Sequence, residues 1–459
     1  MKSLNYKDFF IKNSKYLIID FLLILLFSII LFRYNSHPFN IDRKILFKFS
    51  LLCLFSLTLL NISFFFFKKF INPISLISLF VFYFAYSLIP LNSSYVNLSI
   101  KTVLVVVLSI ISFVLGAFLL FISKKNISIY DTITNYLSKL LSVKINGKLL
   151  LFTLFFLSVV IFTIEVILVG YLPVFEMFDR FVYEEVNDKL IPFVHYFVVL
   201  SSIIPAWAYI FYKKEKISKF QYYFLHIVSL FININFFSRQ FVLLYMICMF
   251  FSYYFYYKAN FRNGILMIIS ILLMFIFIGF LRIIQDNTKK YKVTEEELIN
   301  SDYLDNLSKT KYNLTTVENY LTVYSSNRFY ELNKFVNQKD SLSYYGYGMY
   351  TFKPIISLLF LNRLKIVDYE TNFNIPDALP TFVVDAYLDY GIIGSIFINF
   401  FYGVLSTVFF LYYYLKKPLY IVNFSIIVFC LAMSSFFNYF NTFFVWMAIF
   451  FNTLILKND

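Results

Sequence analysis

Arginine side chains at three separate points of the chain could bind an anionic, phosphate-containing ligand. Arg180 lies in FDRFVYEE, Arg239 in FSRQFVLL and Arg282 in FLRIIQD. A guanidinium group is planar, always charged, and presents paired N–H donors that match two oxygens of one phosphate. The alternative is an anchoring role, because an arginine at the end of a membrane span can extend its charge into the lipid headgroups. The residue types leave both interpretations open.

Arg239 is the only formally charged residue between Lys219 and Lys258. As one helix, residues 220–257 would be about 57 Å long at 1.5 Å per residue, whereas the hydrocarbon core of a bilayer is about 30 Å thick. A charge at the bilayer centre costs at least about 2.5–3.5 kcal/mol. We therefore expect two membrane spans, with Arg239 in the turn between them.

Three carboxyl groups are candidates for acid–base chemistry. Glu165 falls inside a long apolar run, where a carboxyl group pairs with a cation or stays protonated. Asp385 and Asp389 occur in TFVVDAYLDYGIIG, and their spacing puts both on one helix face. Structural roles are the alternative, either an ion pair for Glu165 or a favourable helix N-terminus for the two aspartates. A carboxyl group facing the arginines is the functional interpretation.

Other kinds of site are not indicated. The three cysteines lie in apolar blocks, and neither they nor the three histidines show the spacing of metal ligands. The chain contains no Walker loop, GxSxG, HExxH or paired CxxC motif. We expect no metal and no cofactor.

The composition is that of a membrane protein that crosses the bilayer many times. Hydrophobic residues make up 60% of the chain and charged residues only 14%, against roughly 25% charged residues in soluble domains. The apolar residues form blocks near the roughly 20 residues that a membrane-spanning helix needs. The net charge of +14 is explained by lysines beside the spans, so no nucleic-acid partner is expected.

Hydropathy predicts an all-α polytopic protein with about twelve transmembrane helices. The predicted spans are residues 16–32, 45–67, 74–91, 102–122, 149–170, 193–212, 220–237, 241–257, 265–281, 391–415, 419–436 and 443–456.

The connections between the spans predict the orientation. One alternate set carries 20 Lys and Arg, and the short connections of the other set carry 7. The positive-inside rule puts the richer set, with both termini, in the cytoplasm. The domains predicted are nine spans with short loops (1–281), a large external loop (282–390) and three further spans (391–459). Capping-box patterns at Thr294 and Thr315 predict that this loop is partly helical.

Four stretches resemble the Wzy-type oligosaccharide repeat-unit polymerases, the O-antigen and capsule polymerases of bacteria. They are GYLPVFEMFDRFVY (170–183), FSRQFVLL (237–244), YGYGMYTFKP (345–354) and TFVVDAYLDYGIIGSIF (381–397). The resemblance covers roughly residues 150–415. It implies a GT-C-like membrane glycosyltransferase at the outer face of the cytoplasmic (inner) membrane. The implied substrates are oligosaccharide repeat units on undecaprenyl diphosphate, and a chain-length regulator is an expected protein partner.

The resemblance also implies roles for residues. A hydroxyl of the incoming lipid-linked unit attacks the growing chain, and undecaprenyl diphosphate leaves without help from a metal. Family motifs carry diphosphate binding to Arg180 and Arg239, and Arg282 and Arg328 are added by position. One of the three carboxyl groups takes the proton of the attacking hydroxyl, and the sequence does not choose among them. Tyrosines of the large loop are expected to stack on sugars or to anchor the loop at the membrane surface. They are Tyr344, Tyr345 and Tyr347.

Two other functions are compatible with this layout. An O-antigen ligase transfers the same kind of glycan to a different acceptor, but ligases are thought to use an outer-loop histidine, and residues 282–390 contain none. A lipid-linked oligosaccharide flippase or other transporter would place polar residues at mid-membrane, often beside broken helices and internal repeats. The charges of this chain are predicted at the outer mouth instead, which favours the polymerase.

Overall fold

A computed structural model describes eleven stretches of the chain, and its helices agree with much of the predicted pattern. The described residues are 43–67, 71–93, 98–122, 146–172, 189–190, 193–235, 239–257, 328–337, 346–358, 381–414 and 418–457. They form helices and turns, and none of them is in a strand. The all-α prediction therefore holds over the described residues.

We number the described helices in chain order. They are α1 (Arg43–Phe67), α2 (Pro73–Ser93), α3 (Ile100–Ile122), α4 (Gly147–Val169), α5 (His195–Val199), α6 (Ile204–Lys213), α7 (Lys219–Asn235), α8 (Arg239–Tyr257), α9 (Lys353–Leu358), α10 (Val384–Tyr414), α11 (Pro418–Ala432) and α12 (Phe443–Lys457). Residues 328–337 are also helical.

The helices coincide with ten of the predicted spans, and the other two, 16–32 and 265–281, lie outside the described residues. Among the described helices, α1, α3, α4 and α10 each contain a segment long and apolar enough to cross a membrane, and α5 with α6 would make a fifth span. The protein is thus an α-helical membrane protein. The number twelve stays a prediction.

The chain divides into two compact units. Unit 1 comprises Met1–Val103 and Val293–Gln338, and unit 2 comprises Leu104–Lys292 and Lys339–Asp459. In unit 1, Phe329 packs between Phe80 and Phe84 of α2, with ring centroids 5.8 Å and 4.8 Å away. Asn333 accepts hydrogen bonds from Ser99 N (2.9 Å) and Thr102 Oγ1 (2.8 Å). The segment 328–337 is therefore tied to the helices of unit 1.

Two helical spans of unit 2 are interrupted. The span predicted as residues 193–212 bends by 49° at Ile203, between the short turn Leu200–Ser202 and α6. Pro205 at the start of α6 lacks a backbone N–H and cannot continue the preceding helix. Helix α10 begins at Val384, ahead of the predicted start at residue 391, and contains a break at Gly391 (φ 67°, ψ −152°). A glycine tolerates that conformation, which other residues strongly disfavour.

Helices α3 and α10 approach each other backbone to backbone. A side chain added at Gly116 would collide with Phe400 O, and one at Gly403 would collide with Phe113 O. Ser112 Oγ donates a hydrogen bond to Ile396 O (2.8 Å) along the same contact. Small residues permit such close packing of helices in a membrane, where van der Waals contact is a main attractive force.

The close approach predicts that Gly403→Leu destabilises the protein by about 1–3 kcal/mol, since the added side chain overpacks a tight interface. The measurement is the thermal unfolding midpoint of the purified protein in detergent. Phe397→Leu, on an exposed part of the same helix, is the control and should change the midpoint little. Equal midpoints for Gly403→Leu and the wild type would show that the two helices can separate without cost.

Candidate functional site

Glu165 is buried near the C-terminal end of α4 and contacts the first residue of α5. The Nδ1 atom of His195 lies 3.1 Å from both Oε1 and Oε2 of Glu165. The imidazole is an ion-pair partner when it is protonated and a hydrogen-bond donor when only Nδ1 carries the proton. The side chain of His195 is 14% exposed and that of Glu165 is 3% exposed. Of the two titratable side chains, His195 is therefore the more accessible.

Asp385 is buried in the first turn of α10 and accepts two hydrogen bonds from one connection. Asn438 Nδ2 lies 2.8 Å and Asn441 Nδ2 lies 2.5 Å from Asp385 Oδ2. The hydroxyl of Tyr402 donates to Asn441 Oδ1 (2.8 Å), which orients that amide. Within the described part of the chain, the buried Oδ1 of Asn438 has no hydrogen-bond partner. This acceptor is suited to a water or a hydroxyl group.

Asp389 is fully buried and holds the loop at residues 346–351. Its Oδ1 accepts a hydrogen bond from Tyr350 N (3.2 Å), and its Oδ2 accepts one from Thr351 N (2.6 Å). The loop is also tied by Gly346 N, which donates to Leu388 O (3.1 Å). A side chain at Gly346 would collide with the Asp389 carboxyl group, so the loop can reach the helix only because this residue is glycine.

Contacts at the start of α12 join these carboxyl groups into one region of unit 2. Asn441 Nδ2 donates to Tyr350 O (3.1 Å), which connects the Asp385 and Asp389 sites. Two residues later, the ring of Phe443 lies 5.0 Å from Phe193 and 5.5 Å from Tyr196, which flank His195. We call Glu165, His195, Asp385, Asp389, Asn438 and Asn441 the carboxyl cluster.

The start of α8 lies beside the same region. Phe241, two residues after Arg239, makes an edge contact with Phe444 of α12, with ring centroids 5.9 Å apart. The side chains of His226 in α7 and Tyr245 in α8 are in contact (2.9 Å), which residues 19 apart in one straight helix could not be, so the predicted division of the apolar run is confirmed. The position of the Arg239 side chain lies outside what the structure describes.

Backbone strain is concentrated around the cluster. Among the described residues, φ is positive at four residues other than glycine, and three of them adjoin the cluster: Phe193 (68°), Tyr347 (48°) and Thr381 (60°). Such conformations cost of order 1–3 kcal/mol each and persist where the surrounding structure enforces them, often at functional sites.

Apart from Arg239, the predicted site residues fall into three groups. Glu165, Asp385 and Asp389 all belong to the carboxyl cluster. Arg328 lies in the helical segment of unit 1, and Tyr347 is 72% exposed in the loop that Asp389 holds. The remaining residues, Arg180, Arg282, Tyr344 and Tyr345, lie outside the described residues. Every catalytic and binding role named from the sequence stays a prediction.

Sequence reasoning missed three polar residues of the cluster. His195, Asn438 and Asn441 gave no motif, because their partners are 30 to 56 residues away in the chain. A weak signal was available, since Asn438 and Asn441 are polar residues three positions apart in a short connection between two apolar runs. Each could hydrogen-bond a buried carboxyl group, but the sequence did not indicate which one.

The arrangement is suited to proton transfer. It combines three buried carboxyl groups, an imidazole and amide donors that fix the orientation of one carboxyl group. Within the residues that the structure describes, no group of three or more His, Cys, Asp or Glu could hold a metal ion.

The contacts of Asp389 predict that Asp389→Asn loosens the 346–351 loop, because an amide nitrogen would face a backbone N–H donor. The expected loss is about 1–3 kcal/mol, the cost of an unsatisfied buried group. Limited proteolysis in detergent should show faster cleavage at the exposed Tyr347. Glu215→Gln, at an exposed turn, is the matched control. Identical cleavage of all three proteins would mean that Asp389 does not hold the loop.

Comparisons with known proteins identify the family. A family model described as "Putative O-antigen polymerase" matches residues 69–298, half of the chain. The matched range includes Glu165, His195 and Arg239, whereas Asp385 and Asp389 lie outside it. A search of curated proteins and a search of solved structures each found no match. The protein, an α-helical membrane protein with buried carboxyl groups gathered in one cluster, therefore belongs to the O-antigen polymerase family.

Proposed function

We propose that this protein polymerises oligosaccharide repeat units carried on undecaprenyl diphosphate at the outer face of the bacterial cytoplasmic membrane. The growing glycan is transferred to a hydroxyl group of the incoming lipid-linked unit, and undecaprenyl diphosphate is released. Family membership supports a polymerase acting on lipid-linked oligosaccharides.

The convergence of separate segments on one end of unit 2 carries this proposal. The end of α4, the start of α5, the start of α8, the 346–351 loop and the start of α12 all contribute to it or adjoin it. These segments flank connections that the lysine count predicts to be external. A reaction on a flipped lipid-linked substrate requires titratable groups at that level of the membrane.

We assign the leaving diphosphate to arginines. Arg239 begins the helix that reaches the cluster through Phe241, and Arg180 belongs to the connection that ends just before Phe193. Arg282 and Arg328 are proposed as further diphosphate-binding residues. Fixed guanidinium groups stabilise the charge that develops on a departing diphosphate, especially where water is excluded.

We assign the proton of the attacking hydroxyl to the carboxyl cluster, whose titratable groups are His195 and the three carboxyl groups. Asp389 is the least available of the three, because both of its oxygens accept hydrogen bonds from backbone N–H groups. Asp385 receives its two hydrogen bonds on Oδ2 alone. Glu165 is joined to His195. The unpartnered Oδ1 of Asn438 is proposed to accept a hydroxyl of the sugar.

The exposed ring of Tyr347 in the loop beside the cluster is proposed to stack on a sugar, together with Tyr344 and Tyr345. Both chain termini are placed in the cytoplasm by the positive-inside rule. No metal and no nucleotide sugar is required, because the diphosphate is already an activated leaving group. A chain-length regulator is the protein partner that we propose.

The test of this function uses purified protein in proteoliposomes supplied with the lipid-linked repeat unit. The polymerase should convert single units into a ladder of glycans that stay attached to the lipid. Transport of the unit across the bilayer without a ladder would identify a flippase. A ligase would form no ladder and would transfer glycan only when a separate lipid acceptor is added.

The role assigned to Arg239 predicts that Arg239→Lys lowers polymerisation about 10-fold or more, because lysine keeps the charge but loses the paired N–H donors. The measurement is the rate of ladder formation at equal amounts of folded protein. Arg262→Lys, in a connection predicted to be cytoplasmic, is the matched control and should be fully active. An unchanged rate for Arg239→Lys would leave the residue as a membrane anchor.

Metal independence predicts that a chelator such as EDTA leaves the rate of ladder formation unchanged within about twofold. The assay adds excess EDTA to the purified protein and then restores Mg²⁺ or Mn²⁺ as the control. Inhibition that is reversed by either ion would contradict the metal-free mechanism.

A further inference from the structure

We infer that His195 is the catalytic base of the polymerisation reaction and that Glu165 acts through it as a positioning residue. This inference rests on the proposed function. It changes the assignment made from the sequence, in which the carboxyl group of Glu165 itself was a candidate to meet the substrate.

The contact between the two side chains supports this division of roles. His195 Nδ1 lies 3.1 Å from each carboxyl oxygen of Glu165, so the imidazole edge that carries Nδ1 faces the carboxyl group. A carboxylate accepts hydrogen bonds, and it therefore favours the tautomer with the proton on Nδ1. In that tautomer, Nε2 is the basic nitrogen, and the ring geometry turns it away from Glu165. The same arrangement orients the histidine of a Ser–His–Asp triad.

Accessibility also favours the imidazole over the carboxyl group behind it. The side chain of His195 is 14% exposed and that of Glu165 is 3% exposed. A proton acceptor must come within hydrogen-bond distance of the attacking hydroxyl. The carboxylate is almost completely buried, whereas the imidazole is partly exposed.

The position of His195 connects it to the rest of the cluster. In the chain, His195 lies between Phe193 and Tyr196, and the rings of both residues contact Phe443 at the start of α12. Phe443 follows Asn441, the residue that binds Asp385. The backbone of Phe193, two residues before His195, is strained (φ 68°). The segment that carries His195 thus packs against the helix start that follows Asn441.

The proposed step moves one proton and replaces one bond to the anomeric carbon with another. His195 Nε2 accepts the proton of the acceptor hydroxyl while that oxygen forms a bond to the anomeric carbon of the growing chain. The bond between the anomeric carbon and the diphosphate oxygen breaks, and its electron pair leaves with undecaprenyl diphosphate. The imidazolium, stabilised by Glu165, then returns its proton to water. The step uses no oxidant, metal or cofactor.

The experiment measures kcat and KM for ladder formation by His195→Ala and His195→Gln in proteoliposomes. Both variants should lose about 100-fold or more in kcat, the order of effect of a general base, with a much smaller change in KM. Glutamine can still donate an N–H to Glu165 but cannot accept the proton. A His195→Gln variant with kcat within threefold of the wild type would overturn the assignment.

Chemical rescue separates a missing base from a damaged fold. Imidazole added to the buffer should raise the rate of His195→Ala several-fold and leave the wild type unchanged. His226→Ala is the matched control, because His226 is hydrogen-bonded to Tyr245 between α7 and α8 (2.9 Å) and is outside the cluster. It should keep its rate and show no rescue. Failure of imidazole to raise the rate of His195→Ala, at normal folding, would count against the proposal.

The role of Glu165 is tested by a double-mutant cycle. Glu165→Gln should lower kcat, and adding it to His195→Ala should cause little further loss, because residues that act as a unit are not additive. Independent, multiplicative losses would contradict a coupled pair. Absence of ladder formation by the wild-type protein would instead refute the proposed function, so the two failures are distinguishable.

Discussion

Much of the organisation at one end of unit 2 depends on the two hydrogen bonds that Asn438 and Asn441 donate to Asp385. A carboxyl group buried among apolar helices is costly unless polar groups surround it. Here the donors come from the connection between α11 and α12, and Asn441 also reaches the carbonyl of Tyr350. Hydrogen bonds therefore connect the start of α10, the 346–351 loop and the connection between α11 and α12.

Aromatic packing connects the segment of the Glu165–His195 pair to α12, the helix that follows the two asparagines. Phe443 and Phe444 at the start of α12 face two directions, toward the α5 segment and toward the start of α8. Through the first contact, the segment that carries His195 packs against α12 two residues after Asn441. Through the second, the helix that Arg239 begins is brought beside α12 as well. The α5 segment and the start of α8, which are distant in the chain, thus both pack against the start of α12, as expected of a site assembled on rigid elements.

The division of the run around Arg239 into two helices was predictable, because bilayer thickness limits the length of an apolar helix. The shared helix of Asp385 and Asp389 was predictable from their spacing. The partner of Glu165 was not, since a histidine 30 residues away becomes a neighbour only after α4 and α5 pack. Nor was the break at Gly391, because glycine is also common inside membrane helices. Tertiary contacts, rather than local preference, determine these features.

The packing of α3 on α10 also bears on how a lipid-borne molecule could travel. At Gly116 and Gly403 the two backbones are in contact, and there is no space for even one added methyl group. A long hydrocarbon tail cannot slide between these helices at that level. A lipid-linked substrate of the proposed reaction would have to approach the carboxyl cluster from another side of α10, because the contact between α3 and α10 is closed at that level.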